Sequence, residues 1–113
     1  MEVEAEFPTA DVVSIARHLP TRGISSYLHV GPPPAHPGQA QTFMVEVVVR
    51  RGGQERRVSA GGRDIYAFSA PLAGEAVTRI LDGRTAATGL VTAGTAFDAG
   101  DFLRALPLDH LAL

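Results

Sequence analysis

Residues 42–60 read TFMVEVVVRRGGQERRVSA. Phe43, Val45, Val47 and Val49 fall on one side of a period-two pattern, with Met44, Glu46, Val48 and Arg50 on the other. Alternation sustained over this length is the pattern of a β-strand. Gly52-Gly53 follows, supplying two adjacent positions that tolerate positive φ, as a primed hairpin turn requires. A loop of those two glycines sets Arg50 opposite Glu55, Val47 opposite Val58 and Val45 opposite Ala60. Opposite charges then meet across the strands, and small apolar groups stack on one face. Turn chemistry, charge and apolar pattern all specify the same antiparallel hairpin.

Downstream, Gly61-Gly62 is expected to break the second strand, and Asp64 to Phe68 to lead into a helix. Ser69 is the expected N-cap, with Pro71 in the first turn, where a missing N–H costs nothing. Ala73, Ala76, Val77 and Ile80 form the expected buried stripe, widened by Leu72 and Leu81, while Arg79 and Asp82 face water. Gly83 stands where a left-handed residue closes a helix. Residues 85–96 are small and glycine-punctuated, with Leu90 and Val91 as a candidate strand. Asp98 caps an expected last helix reaching Leu106, with Phe102, Leu103 and Leu106 inward. The alternating leucines of residues 107–113 pack over the core or fray.

Upstream, Val3, Ala5 and Phe7 alternate with Glu2, Glu4 and Glu6, which predicts a half-buried strand ended by Pro8. Asp11 to Leu19 fits two readings. Val12, Ile15, Ala16 and Leu19 lie on one helical face, capped by Thr9 or Asp11, whereas Val13, Ile15 and Arg17 alternate like a strand. Its β-branched density tilts the reading to a strand. Ile24 to Val30 is a short strand candidate. Gly31 to Gln41 carries Pro32, Pro33, Pro34 and Pro37 and predicts a stiff surface loop. The sum is a single α+β domain over residues 1–113. It has a mixed or antiparallel sheet of about four to six strands. A long helix packs on one face, and a short C-terminal helix follows.

A chain of 113 residues is one domain, long enough for a core without staples. Hydrophobic residues are 45% and charged residues 19%, a sparse charge that leaves apolar surface for a partner. The net charge of −2 gives no field drawing nucleic acid or acidic membranes. Absence of cysteine excludes disulfides, thiol catalysis and thiolate metal sites. No apolar run is long enough for a bilayer span, and MEVEAEFP lacks the basic start of a secretory signal. A cytoplasmic location is therefore expected.

Twelve glycines are present, yet none forms G-x-G-x-x-G after a strand or G-x-x-x-x-G-K-[ST]. No cofactor site is predicted in these residues. Of the four histidines, no pair has the spacing of a metal-binding helix, and no metal site is predicted. His18, beside Arg17 and ahead of Pro20, is a candidate substrate contact at the end of an element. Arg63 is a second, because a guanidinium suits carboxylate recognition. Asp64 and Tyr66, with Pro71, read as structural: Asp64 pairs with Arg63 or caps the helix, and Tyr66 buries its ring. Arg50, Arg51, Arg56 and Arg57 form a solvated hairpin tip partly neutralised by Glu46 and Glu55. No residue is predicted to be catalytic, since G-x-S-x-G and comparable nucleophile settings are absent.

The stretch FMVEVVVRRGGQERRVSAGGRDIYAFSAPLAGEAVTRILDG, residues 43–83, resembles the C-terminal region of saccharopine-dehydrogenase-like NAD(P)-binding oxidoreductases. The likeness lies in the valine strand, the glycine hairpin, Gly62, Arg63, Asp64 and Tyr66, then Ala70, Pro71, Leu81 and Gly83. Residues 7–28, FPTADVVSIARHLPTRGISSYL, and Phe97 to Leu103 also look like that family. The resemblance implies an α+β layer that supports substrate binding and a homodimer through the sheet. NAD(P) is then expected in an N-terminal Rossmann domain absent from these residues. It implies that the chain is a piece of a longer reductase, inactive alone. It also favours a strand over Asp11–Leu19. The alternative is a stand-alone binding or oligomerisation module.

Overall fold

A computed structural model describes residues 2–4 and 10–113. The elements in chain order are β1 (Glu2–Glu4), α1 (Ala10–His18), β2 (Tyr27–His29), β3 (Thr42–Arg51) and β4 (Gln54–Arg63). Then come α2 (Ile65–Leu81), α3 (Ala93–Ala96), α4 (Ala99–Arg104) and β5 (His110–Ala112). The fold is α+β. β1 and β2 pair antiparallel, and β3-β4-β5 form a separate three-stranded antiparallel sheet. This sheet is smaller than the one expected. The alternation predicted for Ala5 and Phe7 lies outside the described residues.

The hairpin has the register its turn chemistry demands: Arg50↔Glu55, Val47↔Val58 and Val45↔Ala60. Gly52 and Gly53 hold φ of 56° and 77°, both left-handed, so a side chain at either would be strained. β4 does not break at Gly61-Gly62 but runs through it to Arg63. Both glycines are buried, and a Cβ on Gly61 would lie 2.9 Å from the Phe43 carbonyl oxygen. Glycine here serves close approach of the neighbouring strand rather than strand termination.

Residues 11–19 correct a second expectation, because α1 is a helix and the strand reading fails. Val12 and Ile15, three apart, are its half-buried apolar positions. The helical spacing outweighed the β-branched content, whose helix penalty is small. Leu90 and Val91 form no strand, being highly exposed (Leu90) or exposed (Val91) ahead of α3. The C-terminal leucines neither fray nor merely cover the core. They add β5 to the sheet, with Leu111 opposite Ala60.

α2 begins five residues earlier than the Ser69 cap would allow. Asp64 is the N-cap, in a left-handed conformation at φ 52°, and its carboxylate accepts the Ala67 N–H at 3.0 Å. Ser69 instead bonds back to the Ile65 carbonyl at 3.3 Å. Pro71 therefore sits inside the helix, not in its first turn. An interior proline costs about 3 kcal/mol in isolation, so tertiary contacts must hold this helix together. Its C-terminus closes as the sequence predicts. Gly83 has φ 71° and donates to the Ile80 carbonyl, while Arg84 donates to that of Arg79.

The core is small. Among the described residues Ala96 and Leu106 are the buried apolar side chains, and Phe43, Phe68, Phe97, Phe102 and Leu103 are half-buried. The Phe43 and Phe68 rings stack at 5.3 Å, and Phe97 and Phe102 at 5.0 Å. Asp98 caps α4 by accepting the Asp101 N–H at 2.7 Å, as expected. The accessible surface is 9207 Å². A compact monomer of 11.9 kDa exposes about 5,900 Å². The radius of gyration, 15.9 Å, likewise exceeds the roughly 13 Å of a compact chain this long.

Candidate interaction surface

Part of this exposed surface is apolar, and one row of it lies on a sheet face. In β3, Val45, Val47 and Val49 are 54%, 44% and 49% exposed. Their partners Ala60, Val58 and Arg56 in β4, and Leu111 in β5, continue the same face. Phe43 belongs to that face too, and Phe68 in the first turn of α2 meets it ring to ring.

The helix presents the opposite side from the one its sequence suggests. Of the expected buried stripe, Ala76 alone is half-buried; Ala73, Val77 and Ile80 are exposed, as are Leu72 and Leu81. The inward face carries Phe68, Pro71, Glu75, Ala76 and Arg79. Arg79, expected in water, is 3% exposed. Its Nε donates to Glu75 at 2.7 Å and its Nη1 to Asp101 at 2.7 Å, and its guanidinium lies 5.1 Å over the Phe102 ring. Asp101 first and Glu75 second push its pKa above the ordinary guanidinium value. One sequence signal pointed here: Glu75 and Arg79 have the i, i+4 spacing of a helical ion pair.

The other sheet face is charged. Arg50 donates to Glu55 at 2.7 Å, and Arg57 donates to Glu46 at 2.7 Å and to Glu55 at 3.2 Å. The hairpin tip is thus partly neutralised, as predicted. Arg50, then Arg57, hold the Glu55 carboxyl below its ordinary value. Glu46, then Glu55, raise that of Arg57. Solvent-exposed pairs like these orient strands more than they stabilise them.

The remaining candidates fall elsewhere. Arg63 donates to Asp109 at 3.0 and 3.3 Å, and the Asp109 carboxylate raises its pKa. The guanidinium offered for substrate recognition therefore already grips a carboxylate of its own chain. His18 is exposed at the end of α1, and among the described residues no polar contact joins it to Arg63. Tyr66 does not bury its ring but stands 88% exposed. With Asp64, Ile65 and Phe43 it borders a shallow hollow at the start of α2. Asp64 caps the helix, one of the roles read for it. His110, opposite Gly61, lies 2.7 Å from the Ser59 hydroxyl in a hydrogen bond the sequence does not reveal.

No family model, curated protein or solved structure matches the chain. Among the described residues no helix is long and apolar enough to cross a membrane, and no group of three potential metal ligands is assembled.

Proposed function

We propose that this chain is an interaction domain, the accessory layer of a larger reductase of the saccharopine-dehydrogenase-like kind. The observation that carries the interaction reading is the half-open row Val45, Val47 and Val49 on a sheet face. Contiguous exposed apolar surface on this scale is characteristic of an interface. The resemblance of residues 43–83 supplies the reductase context. In that setting the layer provides a pocket wall and a subunit interface, with His18 and Arg63 as candidate substrate contacts. Hydride chemistry comes from NAD(P) held by a separate domain. A second reading, a stand-alone oligomerisation module, draws on the same valine face and needs no reductase.

Val47→Lys tests the interaction reading. The variant is expected to keep its far-UV dichroism and to lose the fluorescence that the wild-type chain induces in an apolar dye. Collapse of the variant, or a wild type that ignores the dye, identifies the valine face as internal core and ends this reading. The gene separates the two contexts: a continuous upstream frame encoding G-x-G-x-x-G places the layer in a reductase, and an upstream stop removes it from one.

A further inference from the structure

We propose that two copies of this chain pair through the free edge of β3, antiparallel about a two-fold axis at Val48, and merge their three-stranded sheets into one. The proposal rests on the interaction reading and adds a partner at the strand edge beside that face.

The hydrogen-bonding parity of β3 is the first support. A two-residue turn with both φ positive closes on a pair that exchanges both hydrogen bonds, here Arg51↔Gln54. Alternation assigns every odd-numbered β3 residue to β4. The far end agrees, since Asp64 donates to the Gln41 carbonyl at 2.8 Å just beyond the ladder. The N–H and C=O groups of Thr42, Met44, Glu46, Val48 and Arg50 therefore point outward. Among the described residues, β3 is an outer strand of its sheet, ten residues long and without proline. Such an edge is a template for another strand.

Charge selects the register. Even positions must face even positions, so a two-fold axis can pass through few places. An axis at Glu46 sets carboxylate against carboxylate. An axis at Val47 leaves Glu46 facing a valine and Arg50 facing Met44. An axis at Val48 sets Glu46 against the second copy's Arg50 on both sides, with Val47 against Val49 flanking it on the apolar face. An axis nearer the turn loses the overlap of Glu46 with the opposing strand. Charges that would repel an indiscriminate strand become complementary in this register, which makes the edge selective for itself.

The valine row is the third support, because Val45, Val47 and Val49 are 54%, 44% and 49% exposed on the strand that would pair. Pairing at β3 brings both valine rows together on one face of the merged sheet.

The chain has no cysteine, so single-cysteine variants report the register cleanly. Sedimentation of the full chain from low to high micromolar concentration is expected to show a dimer. Val48→Cys, facing itself across the axis, is expected to form an intermolecular disulfide under mild oxidation. Met44→Cys, about 27 Å from its copy, is not. A dimer that cross-links through Met44→Cys and not through Val48→Cys overturns the register. A monomer throughout overturns self-pairing, and it leaves the interaction reading standing if the wild-type valine face still binds the dye.

Discussion

Arg79 lies 2.7 Å from Asp101, and this contact fastens α2 to α4 across 22 positions of sequence. Glu75 grips the same guanidinium from within the helix, and Phe102 lies beneath it. Arg79→Leu keeps bulk but strands the half-buried Glu75 carboxylate and frees α4. A fall in Tm of roughly 5–10 °C is expected. Arg79→Lys, which keeps the charge but not the planar fork, should fall in between. An unchanged Tm in Arg79→Leu would show that the helices are held by something else.

Gly61 and Gly74 make a matched pair for glycine-to-alanine substitution. A Cβ on Gly61 meets the Phe43 carbonyl at 2.9 Å and the Met44 side chain at 3.1 Å, whereas one on Gly74 meets nothing. Gly61→Ala is expected to lower stability in urea by about 1–3 kcal/mol. Gly74→Ala, in the interior of α2, is expected to raise it by about 0.5–1 kcal/mol. Equal effects would mean that β4 can move away from Phe43.

Asp64 combines a positive φ with a helix cap. Asn tolerates that backbone and retains an accepting oxygen, so Asp64→Asn should be close to neutral. Asp64→Ala loses the bond to Ala67 and is strained at φ 52°, and a loss of about 1–2 kcal/mol is expected in chemical denaturation. If the two variants unfold alike, the carboxylate is not acting as the cap.

Glu55 makes the hairpin weakly pH-sensitive. Its carboxyl is depressed below 4.5, chiefly by the Arg50 hydrogen bond and then by Arg57. A depressed carboxylate stabilises the folded state above its unfolded pKa, and that contribution disappears as pH falls through the folded value. Glu55→Gln should therefore melt slightly below wild type at neutral pH, with the gap closing as the solution is acidified below pH 4.5. High salt should also narrow the gap, because both partners are exposed. A gap that widens in acid contradicts this assignment.

The accessory-layer reading has a direct check in calorimetry. Titrating the isolated chain with NADH or NADPH is expected to give no saturable heat, since these residues contain no G-x-G-x-x-G fingerprint for a pyrophosphate. Tight binding would overturn the assignment of the cofactor to another domain.

The residues alone determined what depends on near neighbours. The Gly52-Gly53 turn, the Arg50–Glu55 register, the Gly83 closure and the Asp98 cap each join groups a few positions apart, so backbone sterics and hydrogen-bond reach specify them. Tertiary structure decided what depends on distant partners. Residues 11–19 fit a helix or a strand by pattern, and the fold makes them a helix. Which side of α2 turns inward and whether Gly61-Gly62 ends a strand both turn on contacts far along the chain. Arg79 is the clearest case: a charge is buried only when its counter-charges and an aromatic face meet it, and Asp101 and Phe102 reach it only through folding. The valine face reflects the same physics, because periodicity marks it as apolar without saying what covers it.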